Sequence, residues 1–197
     1  MNFLAHIYLS GDDEDIMMGN FMGDFVTGRH YEGLNAKMIK GVELHRKIDE
    51  FTDNHSVVQQ SKERLYKNYH KYAPVIVDIF YDHFLAANWS KYSNVELEGF
   101  TQVFYAIAAK YKDVAPAEMQ HMLMYMKKDN WLYHYRLIEG IEKAFYGMSR
   151  RARFNSGMEY AVNDLKAHYK EFSDEFSLFF PELIDVSNNF LAQEAKS

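Results

Sequence analysis

Apolar residues recur at helical intervals along nearly the whole chain, and one stretch is apolar all the way round the helical wheel. From Pro74 to Ala87 the sequence PVIVDIFYDHFLAA carries no further Pro or Gly and only three ionisable groups, Asp78, Asp82 and His83. This predicts a buried central helix opened by Pro74. Asp78 and Asp82 are four apart and share a face, while His83 points about 100° round from Asp82. A buried carboxylate costs several kcal/mol unless it is paired, hydrogen-bonded or bound to a metal. The central helix therefore needs polar partners from elsewhere in the chain.

The remaining pattern predicts helices over about 2–9, 14–27, 35–54, 56–71, 96–112, 117–127, 130–147 and 157–179, with Pro181 breaking the chain before a last helix and a tail that frays from about 190. Ser149-Arg150-Arg151-Ala152-Arg153 and Asn155-Ser156-Gly157 read as a basic connection between helices. With only three Pro and few alternating β-branched runs, the fold class is all-α, and no repeat or low-complexity linker divides residues 1–197 into more than one domain.

The segment 35–54 is the most informative. Lys40, Glu43, Arg46, Lys47 and Glu50 fall on its outer face, whereas His45 and Asp49 stack one turn apart among Met38, Val42, Leu44 and Ile48. Such a pair is either a structural hydrogen bond or two ligands of one metal. His6 sits in the apolar first helix, where a core histidine bonded to a carbonyl is the plainer reading. Asn20 and Asp24 lie one turn apart on the second helix, which Gly19 and Gly23 equip for close approach to another backbone. Asp53 suits either a hydrogen bond to a ligand residue or the cap of the next helix. His6, Asp24, His45, Asp49, Asp82 and His83 thus lie on inward sides of four predicted helices, and a shared polar centre satisfies them together.

Composition narrows the chemistry of that centre. The chain has no cysteine, which excludes disulfides, thiolate metal sites and cysteine nucleophiles and leaves histidine and carboxylate as the ligands for any metal. A formal charge of −6 argues against a general nucleic-acid binder, and the fifteen Tyr and fifteen Phe read as core rather than base-stacking rings. There is no apolar run of membrane-spanning length and no basic leader ahead of Asp12–Asp15, so a soluble, cytoplasmic protein is expected. No G-x-S-x-G, Walker A, G-x-G-x-x-G, H-E-x-x-H or EF-hand pattern is present. A nitrogen-and-oxygen centre of this kind suits a divalent-metal hydrolase.

Four motifs in order, Asn2-Phe3-Leu4-Ala5-His6, Gly19-Asn20 with Asp24-Phe25, His45-Arg46-x-Ile48-Asp49-x-x-Thr52-Asp53-Asn54 and Asp82-His83-Phe84-Leu85, resemble the acyl carrier protein phosphodiesterases, a divergent branch of the HD-domain metal phosphohydrolases. The likeness continues more loosely through Trp131 and Tyr135-Arg136. Asp82-His83 stands in reversed order relative to ordinary HD proteins. The resemblance implies a helical bundle of divergent HD type that hydrolyses the phosphodiester joining 4′-phosphopantetheine to the serine of acyl carrier protein. It implies Mn²⁺ as the metal, with Mg²⁺ or Fe²⁺ as alternatives. It also implies His45, Asp49, Asp82, His83 and Asp24 as ligands, Asp24, His6 and Asp49 as catalytic groups, and Asp78, Asp53 and Asn20 as the groups orienting them. Arg46 and Arg136 are expected at the phosphate, and an acidic carrier would require a basic patch. Lys37, Lys40, Arg46 and Lys47 on the His45 helix form one candidate, and Arg150, Arg151 and Arg153 the other. A related hydrolase of nucleotides or other diesters, or a metal-free helical carrier-binding protein, are the competing readings. The residues leave the oligomeric state open.

Overall fold

The computed structural model describes residues 1–28 and 31–193, and all of its regular structure is helical. Helix α1 (Phe3–Tyr8) is followed by α2 (Glu14–Phe21), whose N-terminus is capped by Asp13 accepting from the amides of Asp15 and Ile16. A single 3-10 turn, Gly23–Phe25, ends that segment. The long α3 (Ala36–Asn54) starts at Asn35, which accepts from the Met38 amide at 2.9 Å. Then come α4 (Ser56–Tyr69), α5 (Ala73–Ala87), α6 (Leu97–Lys110), α7 (Ala117–Lys128), the one-turn α8 (Trp131–His134), α9 (Ile138–Arg151), α10 (Ala161–Ala167) and α11 (Tyr169–Ala192).

Helix α5 runs through the middle, as its all-round apolar pattern predicts. Phe80, Tyr81 and Phe84 are fully buried and meet Phe172, Phe176 and Phe179 of α11 in edge-on, tilted and stacked ring contacts. Helices α2 and α3 approach unusually closely, because a Cβ on Gly19 would stand 2.0 Å from the Met38 carbonyl oxygen and one on Gly41 would stand 2.2 Å from that of Ile16. Only glycine permits that separation, and it lays Asn20 directly against His45.

Several expected boundaries shift. The segment 14–27 is not one helix: α2 stops at Phe21 and the chain turns at Gly23, where a Cβ would strike the His45 ring. Pro181 does not break the chain, since α11 continues from Tyr169 to Ala192. The proline sits on the exposed side, while Phe176, Phe179, Phe180 and Leu183 hold the opposite face in the core on both sides of it. Burial of that stripe outweighs one missing backbone hydrogen bond. The stretch 157–179 is broken at His168, and 130–147 divides into α8 and α9. Arg150 and Arg151 belong to the last turn of α9 rather than to a connection, where their charge complements the helix dipole. The tail is helical as far as Ala192, and residues 194–197 lie outside the described part.

Candidate metal centre

Three helices and one 3-10 turn deliver the polar centre. Helix α1 carries His6, α3 carries His45 and Asp49, the turn after α2 carries Asp24, and α5 brings Asp78 to its edge. The imidazoles of His6 and His45 stack with centroids 4.1 Å apart. Nε2 of His45 lies 3.1 Å from Asp49 Oδ2 and 3.3 Å from Asp24 Oδ1, while Nε2 of His6 lies 3.2 Å from Asp49 Oδ1 and 3.2 Å from the Met1 carbonyl oxygen. His6, His45 and Asp49 each offer a ligand atom within 4.8 Å of the others. Both histidines are buried, whereas the Asp24 and Asp49 side chains are 58% and 40% exposed, so the centre opens to solvent through its carboxylates.

Asn20 fixes both rings. Nδ1–H of His6 donates to its side-chain oxygen at 2.8 Å, and Nδ1–H of His45 donates to its backbone oxygen at 2.9 Å. The Asn20 amide is held in turn by donating to the His6 carbonyl and to Ser10 Oγ. With each Nδ1–H committed outward, each Nε2 lone pair faces oxygen acceptors only. That convergence of two nitrogens and carboxylate oxygens requires a cation between them, either protons or a metal ion, and its donor set fits a divalent ion.

The electrostatics follow from the same contacts. Burial disfavours the charged ring of His45, but Asp24 and Asp49 outweigh it and carry the pKa up to about 9. Burial dominates at His6 and pushes its pKa down, against the pull of Asp49. Burial would raise the pKa of Asp49, yet hydrogen bonds from His45 and His6 hold it well below the carboxylate range, and the His45 contact lowers Asp24 likewise.

The structure does not bring Asp82 and His83 to this centre. Asp82 is fully buried and both of its oxygens accept backbone amides at the start of α1, from Leu4 at 2.7 Å and Ala5 at 3.1 Å. Those amides have no partner within their own helix, and Asn2 makes no side-chain cap bond, so Asp82 serves as the cap from outside. Desolvation raises its pKa to about 7 against the stabilising pull of the two amides. His83, on the next side of α5, donates through Nδ1 to the Tyr135 carbonyl at 2.7 Å and accepts from the Tyr169 hydroxyl at 2.9 Å. Both residues therefore anchor helices rather than coordinate the shared centre. Asp78 bonds no histidine among the described residues: its Oδ1 lies 3.2 Å from the Met1 nitrogen, which also stands 3.5 Å from Asp49 Oδ1. Asp53 points outward to Lys62 at 2.8 Å, and the cap of α4 is supplied by His55.

The expected phosphate and partner groups divide in the same way. Arg46 donates to the Tyr31 hydroxyl at 3.0 Å and to the Gly28 carbonyl, which ties down the loop that leaves Asp24. Arg136 lies over the Tyr133 ring, 4.3 Å from its centroid, and lines a groove with Trp89 and Glu96 away from the centre. Lys47 pairs with Glu50 at 3.0 Å. Asn20 holding both rings and Gly23 admitting the His45 ring are the structural roles that residue type alone does not assign.

No helix among the described residues is long and apolar enough to cross a membrane. A sequence profile described as acyl carrier protein phosphodiesterase matches residues 1–183. Proteins named acyl carrier protein phosphodiesterase from Photorhabdus laumondii and Escherichia coli are 30% and 32% identical over 190 residues, covering 96% and 95% of this chain and 96% and 98% of their own. One from Klebsiella pneumoniae is 29% identical over 190 residues, with 96% and 98% covered. No solved structure matches the chain, so the likeness to HD proteins stays one of sequence motifs. Matched along almost its whole length, the chain belongs to the acyl carrier protein phosphodiesterase family.

Proposed function

We propose that this protein hydrolyses the phosphodiester between 4′-phosphopantetheine and the serine of holo-acyl carrier protein, giving apo-carrier and 4′-phosphopantetheine. The observation that carries this reading is the convergence of His6, Asp24, His45 and Asp49 in a chain of this family. A divalent ion, Mn²⁺ in our reading, would be held by Nε2 of His6 and His45 and by carboxylate oxygen of Asp49 and Asp24, and would supply charge neutralisation at the phosphoryl oxygens and a more acidic water.

The residues of the chain do the rest. Asn20 keeps both Nε2 atoms aimed at the centre, so no rearrangement is needed when substrate arrives. Asp24, the most exposed carboxylate of the group, is the one we assign to orient the attacking water and take its proton. Water oxygen bonds to phosphorus, the bond from phosphorus to the serine oxygen breaks, and the serine regains a hydroxyl proton. Arg46 holds the loop after Asp24 and so maintains the distance to His45.

Incubating holo-carrier with the protein and Mn²⁺ and following the carrier by intact-mass spectrometry tests this. The expected result is conversion to apo-carrier that stops on adding a chelator. An unchanged holo-carrier alongside turnover of nucleotides would support the nucleotide-hydrolase alternative instead.

A further inference from the structure

We infer that the carrier protein docks through an acidic face on a cationic shelf formed by Lys71, Arg150, Arg151 and Arg153 around the exposed rings of Tyr146 and Phe154. The inference rests on the substrate reading above and specifies how that substrate is held.

Of the two basic clusters in the sequence, the one on α3 is used up inside the molecule. Lys37 pairs with Asp13 at 2.7 Å and Lys47 with Glu50, Lys40 donates to the carbonyls of Leu191 and Gln193, and Arg46 is engaged by Tyr31 and Gly28. The second cluster is different. No ion pair among the described residues involves Lys71, Arg150, Arg151 or Arg153. Three of the four charges rest on rings instead: Lys71 Nζ is 4.3 Å and Arg153 Cζ 5.6 Å from the Phe154 centroid, and Arg150 Cζ is 5.7 Å from that of Tyr146. Those two rings are 58% and 56% exposed. Unpaired arginine beside exposed aromatic surface is the composition of a protein interface, and in a chain of net charge −6 it selects an acidic partner. The acidic residues of α9, Glu139 and Glu142, lie toward its other end, so the cations gather at the C-terminal turn.

Position makes the shelf relevant to the reaction. Arg151 ends α9, a helix that packs against α5, and the Tyr135 hydroxyl just ahead of α9 accepts from Asn2, four residues before His6. Lys71 lies in the 3-10 turn that leads into α5, the helix carrying Asp78. The bond to be cut is on the carrier's own serine, so the body of the carrier must come to the rim of the centre. That rim carries Asp24, Asp49 and Asp78, whose charge is met by the Met1 ammonium and by the cation at the centre, so the rim itself offers an acidic surface no net attraction. The cations of the shelf supply that attraction and steer the encounter.

The test is steady-state kinetics of the Arg151→Glu/Arg153→Glu double variant on two substrates, holo-carrier and bis(p-nitrophenyl) phosphate. The expected result is a KM for holo-carrier raised by about 30-fold or more, so that kcat/KM for the carrier falls by that factor relative to the small diester. Raising the salt should weaken the wild type toward the variant, because exposed charges are screened beyond a Debye length of about 8 Å at physiological ionic strength. Arg151→Gln/Arg153→Gln should move KM the same way by less. A wild type that cleaves holo-carrier and a reversal variant with the same relative specificity would overturn the shelf alone. A wild type that cleaves only the small diester would overturn the substrate reading, and the shelf with it.

Discussion

Replacing Gly23 by alanine strikes the metal centre directly through the His45 ring. A Cβ at that position would stand 2.2 Å from Cγ and 2.6 Å from Cβ of His45, whereas ordinary contact begins at 3.4 Å, so the ring must retreat by about 1.2 Å. It cannot do so freely, because its Nδ1–H is bonded to the Asn20 oxygen and its face is stacked on His6. A misplacement of about 1 Å at a reacting centre costs about 10²-fold in rate, or about 2.7 kcal/mol of barrier. We expect kcat/KM for holo-carrier to fall by about 10²-fold and the affinity for Mn²⁺, measured by calorimetry, to weaken by about 10- to 100-fold. The thermal midpoint of the metal-free protein should fall as well, because Cγ and Cβ are the part of His45 nearest its backbone, so turnover and affinity are compared per folded molecule. Gly19→Ala is the contrast: its Cβ would meet the Met38 backbone at 2.0 Å, so it should destabilise the fold itself. Wild-type Mn²⁺ affinity and turnover in Gly23→Ala would refute the assignment of His45 to the centre.

Three further outcomes follow from the same contacts. Asn20→Ala leaves Nδ1–H of His6 without its acceptor in a buried site, so stability should drop by about 1–3 kcal/mol in urea titrations and Mn²⁺ affinity by about 10- to 100-fold. His45 carries a proton up to about pH 9 in the metal-free protein, and that proton must leave when a cation takes its place. Mn²⁺ affinity should therefore rise with pH below about 9, and calorimetry in buffers of different ionisation enthalpy should report about one proton released; no release would contradict the raised pKa. Glu175→Ala strips the bidentate partner from Arg64, at 2.7 and 2.9 Å, far from the centre. Because Arg64 keeps partial access to water, the expected loss is about 2–3 kcal/mol in chemical denaturation, with kcat per folded molecule retained.

What the sequence reveals depends on whether a residue's partner is local. The pair His45–Asp49 is legible because both members sit on one helix, where periodicity fixes their common inward side. The central position of α5 is legible for the same reason. Asp82 and His83 show the limit of that logic. Their burial announces a need for polar partners without naming them, and the amides at the start of α1 answer Asp82 as well as a metal would. Adjacent residues on a helix diverge by about 100°, which sends the two side chains to different neighbours. Asn2-Phe3-Leu4-Ala5 did carry a usable signal, a helix start whose free amides needed an acceptor. Gly23 and Asn20 depend on the approach of α2 to α3, and Pro181 on the apolar stripe of α11 behind it, neither of which is a property of one segment.

The central claim is that His6, His45 and Asp49, with Asp24, hold the catalytic cation. Anomalous diffraction at the manganese edge, from crystals grown with Mn²⁺, tests it directly. The account expects one dominant peak at bonding distance from Nε2 of His6 and His45 and from carboxylate oxygen of Asp49. A peak on Asp82 and His83, or none at the stacked histidines at saturating Mn²⁺, would contradict it.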